Sequence, residues 1–594
     1  SILAFIGLAS VAAILKVPFK DNRVEEIMLP MRDGVNLHTV IVFPRAAADQ
    51  NNKFTTIIDR SPYGYSDLEW FVDIFVPLGY VAIGQDMRGC EKSEGNFSMW
   101  GKDGNDSRDL GDWVVSQEWS NGQIFTFGAS ADGIGSLQTA RTNPDWLKAQ
   151  YIIWATSRIY DILFPYGTYK QKTAEDWLTD LTMPNPDFVN VDIALVHRNE
   201  MHSKFWSLVE LDENTFKNIR FPSAFWGGWY DLFSLGTIQA FEGYNTLSDP
   251  SVRYTSVITI DPLGHCLDGA EFFTENAVQG RTGVVLGQLF EVFGITPVKR
   301  NQIKNVTFYV MSSNDEAGIA AGQYWTSLET WPAVRNTNYY FHADGTVSTK
   351  LPSKSETSSS SFKYDPSNPV PTIGGANLPD SIGGTIPCGP LDQAPADARD
   401  DVLKFQTEVF TEELALTGGL YATLYVSSDA IDTDFTAKIS DVYPTGEVRL
   451  IEDNAVRMRW REGGLEPVYI EKDKVYKVEF NLWNTSYVFA PGHALRVSIS
   501  SSNFPRFSVN PNNGVLLADA NYPGENVVAT NTIYHSAQYP SHVTLPVVRK
   551  VQIPEVHVLK EVQESYPMID EDYVRKSTLS FNRMIKKHFA RKQK

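Results

Sequence analysis

QIFTFGASADGIGS, residues 123–136, places a single hydroxyl, Ser130, between its glycines at 128 and 133, after an apolar run and before a helix-compatible stretch. A serine hydroxyl is a poor nucleophile near neutral pH, so it reacts only where it stands clear of the backbone and within reach of a base. A sharp strand-to-helix turn exposes it in that way, and such a turn leaves little room for flanking side chains. Residues 128–133 fit the G-x-S-x-G nucleophile elbow with one extra residue before the last glycine. The same turn aims the amide N–H of Ala131 at an oxyanion developing on a substrate carbonyl. Gly-Ala-Ser-rich turns also occur in doubly wound sheets with phosphate sites or with no site, so the partners of Ser130 decide the reading.

From about residue 24 to 335, short β-rich runs alternate with helix-length segments, the pattern of strands and crossover helices in a mostly parallel sheet. TTIID (55–59), YVAIGQ (80–85), QIFTFG (123–128), AQYIIWA (149–155), FPSAFWG (221–227) and YTSVITID (254–261) read as its strands. Over about 156–220 the alternation yields to an aromatic, acidic, helix-like segment containing YKQKTAEDWLTDL and HSKFWSLVEL, read as an inserted cap. Residues 336–399 read as a linker with the first sandwich segments; within them 352–399, rich in Ser, Pro and Gly, is expected to lie on the surface. Over 400–575, GGLYATLYVSS, DFTAKISDVYP, VYKVEFNLW and HALRVSISSS tend to alternate every second residue between turns, as in a two-sheet antiparallel sandwich. A basic tail, 576–594, follows.

An elbow serine needs an acid and a histidine after later strands, in the chain order Ser, Asp, His. WGGWYD puts Asp231 shortly after FPSAFWG, and IDPLGHC puts His265 just after YTSVITID. Residues 232–253 suffice for one helix and a return, so both loops can reach the same sheet edge. His265 then serves as general base, and Asp231 fixes its tautomer. RSPYG (60–64) follows an early strand, where a second oxyanion donor belongs, and Tyr63 offers a phenol O–H there. Asp132 and Trp229 are candidate substrate contacts, Asp132 facing either a substrate amine or, as an early-helix acid, the solvent. In the cap, Glu175 and Asp176 could hold a substrate amine but read as solvated helix surface. HRNEMH, with His197 and His202 five apart instead of four and Glu200 not next to the first, departs from the HExxH zinc pattern and reads as polar cap surface. No metal and no cofactor is expected.

The formal charge of −19 argues against a nucleic-acid partner or an anionic membrane surface. Three cysteines, Cys90, Cys266 and Cys388, provide neither a disulfide scaffold nor a four-cysteine zinc site and read as buried thiols. The run SILAFIGLASVAAILK (1–16) reads as a signal-peptide remnant or a short anchor, with V-A-A at 11–13 suited to cleavage. Sequons at Asn96, Asn105, Asn305 and Asn484 fit a secretory route, so a secreted or endolysosomal location is expected.

With these residues in view, the chain resembles the cocaine esterase and Xaa-Pro dipeptidyl-peptidase family of α/β-hydrolases, which also includes α-amino-acid ester hydrolases and glutaryl acylases. RSPYG, QDMRGCEKSEGNF, WSNGQIFTFGASADG, GGWYD, DPLGH, YDPSNPVPTIGG, GPLDQ, DTDFTAKISDVYP and FAPGHALRVSISSSNFPRF carry the likeness, which runs from about residue 28 to 550. The resemblance implies an α/β-hydrolase domain with a helical cap and a C-terminal jelly roll. It also implies Ser130 as nucleophile, Asp231 and His265 as triad partners, and the Tyr63 hydroxyl and Ala131 amide as oxyanion donors. One departure is Ala131 itself, where members of the family often carry Tyr, so an aromatic pocket wall is lost.

The expected activity is hydrolysis of an ester or amide, acyl or aminoacyl, through an acyl-enzyme, with a small ester, amide or short peptide as substrate. Xaa-Pro dipeptide release is one alternative. Another is an inactive hydrolase whose sandwich grips a carbohydrate or protein.

Overall fold

The computed structural model describes residues 22–45, 52–65, 72, 75–181, 186–293, 303–355, 358–379, 384–567, 569–576 and 578–579. The expected leader at 1–16 and the tail from 580 to 594 lie outside the described residues.

The hydrolase sheet contains the exposed edge strand β1 (Arg23–Pro30) and the largely buried runs β2 (Asn36–Phe43), β3 (Phe54–Ser61), β4 (Val81–Asp86), β5 (Ser120–Ala129), β6 (Leu147–Ile153), β7 (Ser223–Tyr230), β8 (Val257–Gly264), β9 (Val306–Ser312) and β10 (Tyr324–Leu328). They pair in the order β1-β2-β4-β3-β5-β6-β7-β8-β9-β10, parallel from β4 to β9 and antiparallel outside. Parallel strands need crossovers, supplied by α1 (Asp103–Ser116), α2 (Ala131–Arg141), α6 (Ser234–Glu242) and α7 (Glu275–Val292). The insertion after β6 contains α3 (Ile159–Leu163), α4 (Gln171–Leu181) and α5 (Pro186–Arg198), so the cap is helical.

The second domain consists of β11 (Arg335–Phe341), β12 (Val347–Ser348), β13 (Ser359–Tyr364), β14 (Leu403–Gln406), β15 (Leu414–Ser428), β16 (Asp434–Val442), β17 (Val448–Arg457), β18 (Tyr476–Phe489), β19 (Ala494–Ser500), β20 (Ala529–Tyr534) and β21 (His542–Val548). One face is a four-stranded antiparallel sheet, β14-β19-β16-β17. The other sheet joins the hydrolase sheet through a short parallel pairing of β18 with β9, so the two domains share backbone hydrogen bonding. Further ties cross the boundary. Tyr230 O–H donates to the Leu450 carbonyl at 2.7 Å, and His493 lies between Asp441 and Asp315 at 2.9 and 3.0 Å.

Three sequence expectations need correction. Residues 352–399 do not form a surface connection: Val370, Asn377, Leu378, Cys388 and Gln393 are buried. An irregular backbone can be buried only if its polar groups find partners, and here they do. Thr372 N–H donates to the Phe504 carbonyl, Val370 N–H to Ser502 Oγ, and Cys388 N–H to Asp268 Oδ2. The sandwich ends at Val548, not near 575. α8 (Val558–Ser565) then returns to pack Val558 and Val562 against α7 of the hydrolase domain. HRNEMH is not polar cap surface throughout. Glu200 is buried and accepts from Trp460 Nε1 (2.7 Å) and Leu517 N (2.6 Å), with Arg459 at 3.2 Å, which anchors the cap to the second domain.

Candidate active site

Ser130 sits between β5 and α2 with φ 58° and ψ −122°, a strained conformation for a residue with a side chain. Glycines at 128 and 133 are what permit it. A Cβ on Gly128 would lie 2.5 Å from the Asp132 carbonyl, and one on Gly133 would lie 2.7 Å from Ala155 Cβ. The turn is held by the Ser130 N–H donating to the Ile153 carbonyl at 2.8 Å.

The next two motifs arrive at the same edge of the sheet. Asp231 leaves β7, His265 leaves β8, and both side chains are buried. Ser130 Oγ lies 3.0 Å from His265 Nε2, and His265 Nδ1 lies 2.6 Å from Asp231 Oδ2. The other carboxylate oxygen of Asp231 accepts the Phe233 N–H at 2.7 Å, so the acid is held at both ends. Trp154 and Phe233 stand edge-on to the imidazole at 5.8 and 5.5 Å, which fixes the ring plane. Burial works against charging the ring, while the Cys266 sulfur and the Asp231 carboxylate work for it; the balance raises its pKa above the ordinary histidine value.

Ala131 is the first residue of α2. Its N–H therefore has no acceptor within the helix and points to the positive end of the helix dipole. Tyr63, beyond β3, is half-buried, and its hydroxyl oxygen accepts the Trp177 indole N–H at 2.9 Å. That bond ties the expected oxyanion donor to cap helix α4.

A cavity with about 430 Å³ of space between atoms, solvent at its mouth included, opens at Ser130 and His265. Its wall is apolar: Trp100, Ala131 and Ile134 on one side, Ile159, Ile162, Leu163, Ala174 and Trp177 from the cap, and Leu232, Phe233 and Leu378 around the base. Among the described residues, Thr173 is the polar contributor besides Ser130 and His265. Trp100 and Trp177 stack at 5.2 Å with 3° between their planes, and Trp100 Nε1–H donates to the Ala131 carbonyl at 3.0 Å. Trp100, Trp177 and Leu378 were not foreseen from the sequence. The first two follow no spacing rule, and Leu378 sits in a Gly/Pro-rich stretch that reads as surface.

The candidate substrate contacts do not join this wall. Trp229 alternates away from it along β7: it is 1% exposed, its indole N–H donates to the Tyr309 carbonyl at 2.7 Å, and its ring packs edge-on against Phe308. Asp132 is half-buried, and its charge bears on the buried Tyr65 phenol. In the cap, Glu175 is engaged by Gln171 and His197, and Asp176 by Lys172. His202 is 2.7 Å from Glu210, so the two histidines of HRNEMH face different partners. Among the described residues, no group of three or more His, Cys, Asp or Glu side chains is placed to hold a metal ion, and all three cysteines are free thiols.

Comparison with known proteins agrees with this architecture. Residues 33–266 match the family model for X-Pro dipeptidyl-peptidase (S15 family), and residues 301–544 match that for the X-Pro dipeptidyl-peptidase C-terminal non-catalytic domain. A cocaine esterase from Rhodococcus sp. (strain MB1 Bresler) is 28% identical, the alignment covering 88% of this chain and 98% of that one. An aminopeptidase from a marine sediment archaeon, Thaumarchaeota archaeon, superposes with a TM-score of 0.76 at 21% identity, covering 89% of this chain and 97% of that one. An α-amino acid ester hydrolase gives 0.72 at 23% identity, with 89% and 97% covered.

Proposed function

This chain belongs to the cocaine esterase and Xaa-Pro dipeptidyl-peptidase family of α/β-hydrolases and is a serine hydrolase, and from that premise we propose that it cleaves esters of apolar carboxylic acids, with Ser130, His265 and Asp231 as its catalytic triad. The observation that carries the substrate class is the wall of the cavity at Ser130, to which the described residues contribute aliphatic and aromatic side chains and no carboxylate. A protonated amine buried there would lose its hydration without gaining a counter-charge, whereas an apolar acyl group gains by leaving water.

In this mechanism the Ser130 O–H donates to His265 Nε2, and Oγ attacks the ester carbonyl as the proton passes to the ring. Nδ1–H donates to Asp231 throughout and stabilises the imidazolium. The oxyanion faces the Ala131 N–H and the Tyr63 O–H. His265 gives that proton to the leaving alcohol, then takes one from the water that attacks the acyl carbon and passes it to Ser130 Oγ as the acid leaves.

The test is a panel of p-nitrophenyl esters against aminoacyl and Gly-Pro p-nitroanilides. The expected order puts benzoyl and medium acyl esters first. A higher kcat/KM for Gly-Pro p-nitroanilide than for every ester would replace this reading with dipeptide release. A secreted or endolysosomal location is also proposed. Exposed sequons at Asn96 and Asn105 support it, and an enzymatic deglycosylation mobility shift of the native protein tests it.

A further inference from the structure

A second cavity lies across the sheet from α2. Phe127 of β5, Tyr151 and Ile153 of β6 and Trp226 of β7 form its floor, and Val285, Leu286 and Leu289 of α7 form its roof, enclosing about 470 Å³ of space between atoms, solvent at the mouth included. Catalysis at Ser130 makes no use of it.

Inside this apolar shell is a guanidinium. Arg281 of α7 lines the cavity and is 2% exposed, and its Nε–H is buried with no acceptor among the described residues. Among the described residues Nη2 reaches only the neighbouring Thr282 Oγ1, at a long 3.4 Å, and the guanidinium carbon is 5.8 Å from the centre of the Trp226 ring. Among the described residues Arg281 forms no ion pair. Asp261 acts on it electrostatically from beyond ion-pair distance, its two oxygens each accepting another bond, from Trp226 Nε1–H at 2.9 Å and Leu263 N–H at 2.8 Å. Burial lowers the Arg281 pKa, which is the mark of a cation short of compensation. Thr282 and Thr578 supply hydroxyls on the same wall, 2.9 Å apart.

A permanently charged fork with unfilled donors, enclosed by aromatic and aliphatic side chains, has the chemistry of a carboxylate site: two oxygens for the guanidinium and an apolar body for the shell. We propose that this cavity binds a small monocarboxylate carrying an apolar chain, with its carboxylate on Arg281 and its chain between Tyr151, Trp226 and Leu286.

The experiment uses the full chain with Ser130 blocked by a fluorophosphonate, so that the catalytic cavity cannot bind the probe, and titrates hexanoate and hexanamide calorimetrically at neutral pH. Hexanoate is expected to bind saturably, one molecule per chain, and hexanamide about ten-fold or more weaker, because the neutral amide loses the charge-assisted bonds. Arg281→Gln should weaken hexanoate by about ten-fold or more while leaving hexanamide unchanged. Leu286→Trp, which fills the cavity and keeps the charge, should weaken both probes and carries the test if Arg281→Gln does not fold. Equal affinity for hexanoate and hexanamide, unaltered hexanoate binding in either folded variant, or no heat from hexanoate at millimolar concentration would overturn the proposal.

Discussion

Trp177→Phe removes one hydrogen bond from the proposed oxyanion donor and leaves an aromatic ring in the wall of the catalytic cavity. The bond is 2.9 Å, from the indole N–H to the Tyr63 hydroxyl oxygen, between two half-buried side chains. Such a bond contributes about 1 kcal/mol net, so kcat should fall roughly five-fold. Tyr63→Phe deletes the donor itself and should cost about 10² to 10³ in kcat. The two changes meet at one hydroxyl, so they should not add. In the Tyr63→Phe background, Trp177→Phe should leave kcat almost unchanged, a coupling of about 1 kcal/mol. The smaller ring also loosens the stack on Trp100, an effect read in KM and present in both backgrounds. Steady-state kinetics of the four proteins on one p-nitrophenyl ester measure the cycle. An equal five-fold loss of kcat from Trp177→Phe with and without the Tyr63 hydroxyl would refute the idea that Trp177 acts through it.

Gly128→Ala places a Cβ 2.5 Å from the Asp132 backbone, where no side chain can yield, and should destabilise by about 1–3 kcal/mol with loss of activity; an unshifted melting temperature would contradict the packing. His265 must be neutral to take the serine proton, and its pKa is raised in the folded enzyme. The acid limb of kcat/KM should therefore have its midpoint above 6.5, with activity lost as pH falls through it, and a midpoint below 6.5 would count against this environment. Asp231→Asn should move that midpoint down and lower kcat by about 10⁴, as the wrong tautomer then faces Ser130. Glu200→Ala strips Trp460 and Arg459 of a buried partner and should cost about 3–5 kcal/mol in thermal or denaturant unfolding; an unchanged transition would show the cap anchored elsewhere.

What could be read from the sequence was whatever chemistry fixes by chain order. Ser130, Asp231 and His265 each follow a short β-rich apolar run bounded by turn residues, so their meeting at one sheet edge follows once those runs are strands of a parallel sheet. Gly128 and Gly133 were legible for the same reason: a tight turn excludes side chains locally. Contacts set by tertiary packing were not legible. Leu378 and Cys388 sit in a Ser/Pro/Gly-rich stretch whose burial depends on acceptors supplied by distant residues such as Asp268 and Phe504. Trp229 has the composition of a pocket residue, and strand alternation turns it instead towards Phe308. Glu200 looked like surface because its partners, Trp460 and Leu517, are far along the chain in the other domain.

The account rests on Ser130 becoming acylated. Peptide mass spectrometry after brief exposure to a fluorophosphonate, with residual esterase activity followed in parallel, tests this most directly. The account predicts one adduct, on the peptide containing Ser130, growing in step with the loss of activity and absent in Ser130→Ala. An adduct on another residue that tracks inactivation, or full esterase activity in Ser130→Ala, would contradict it.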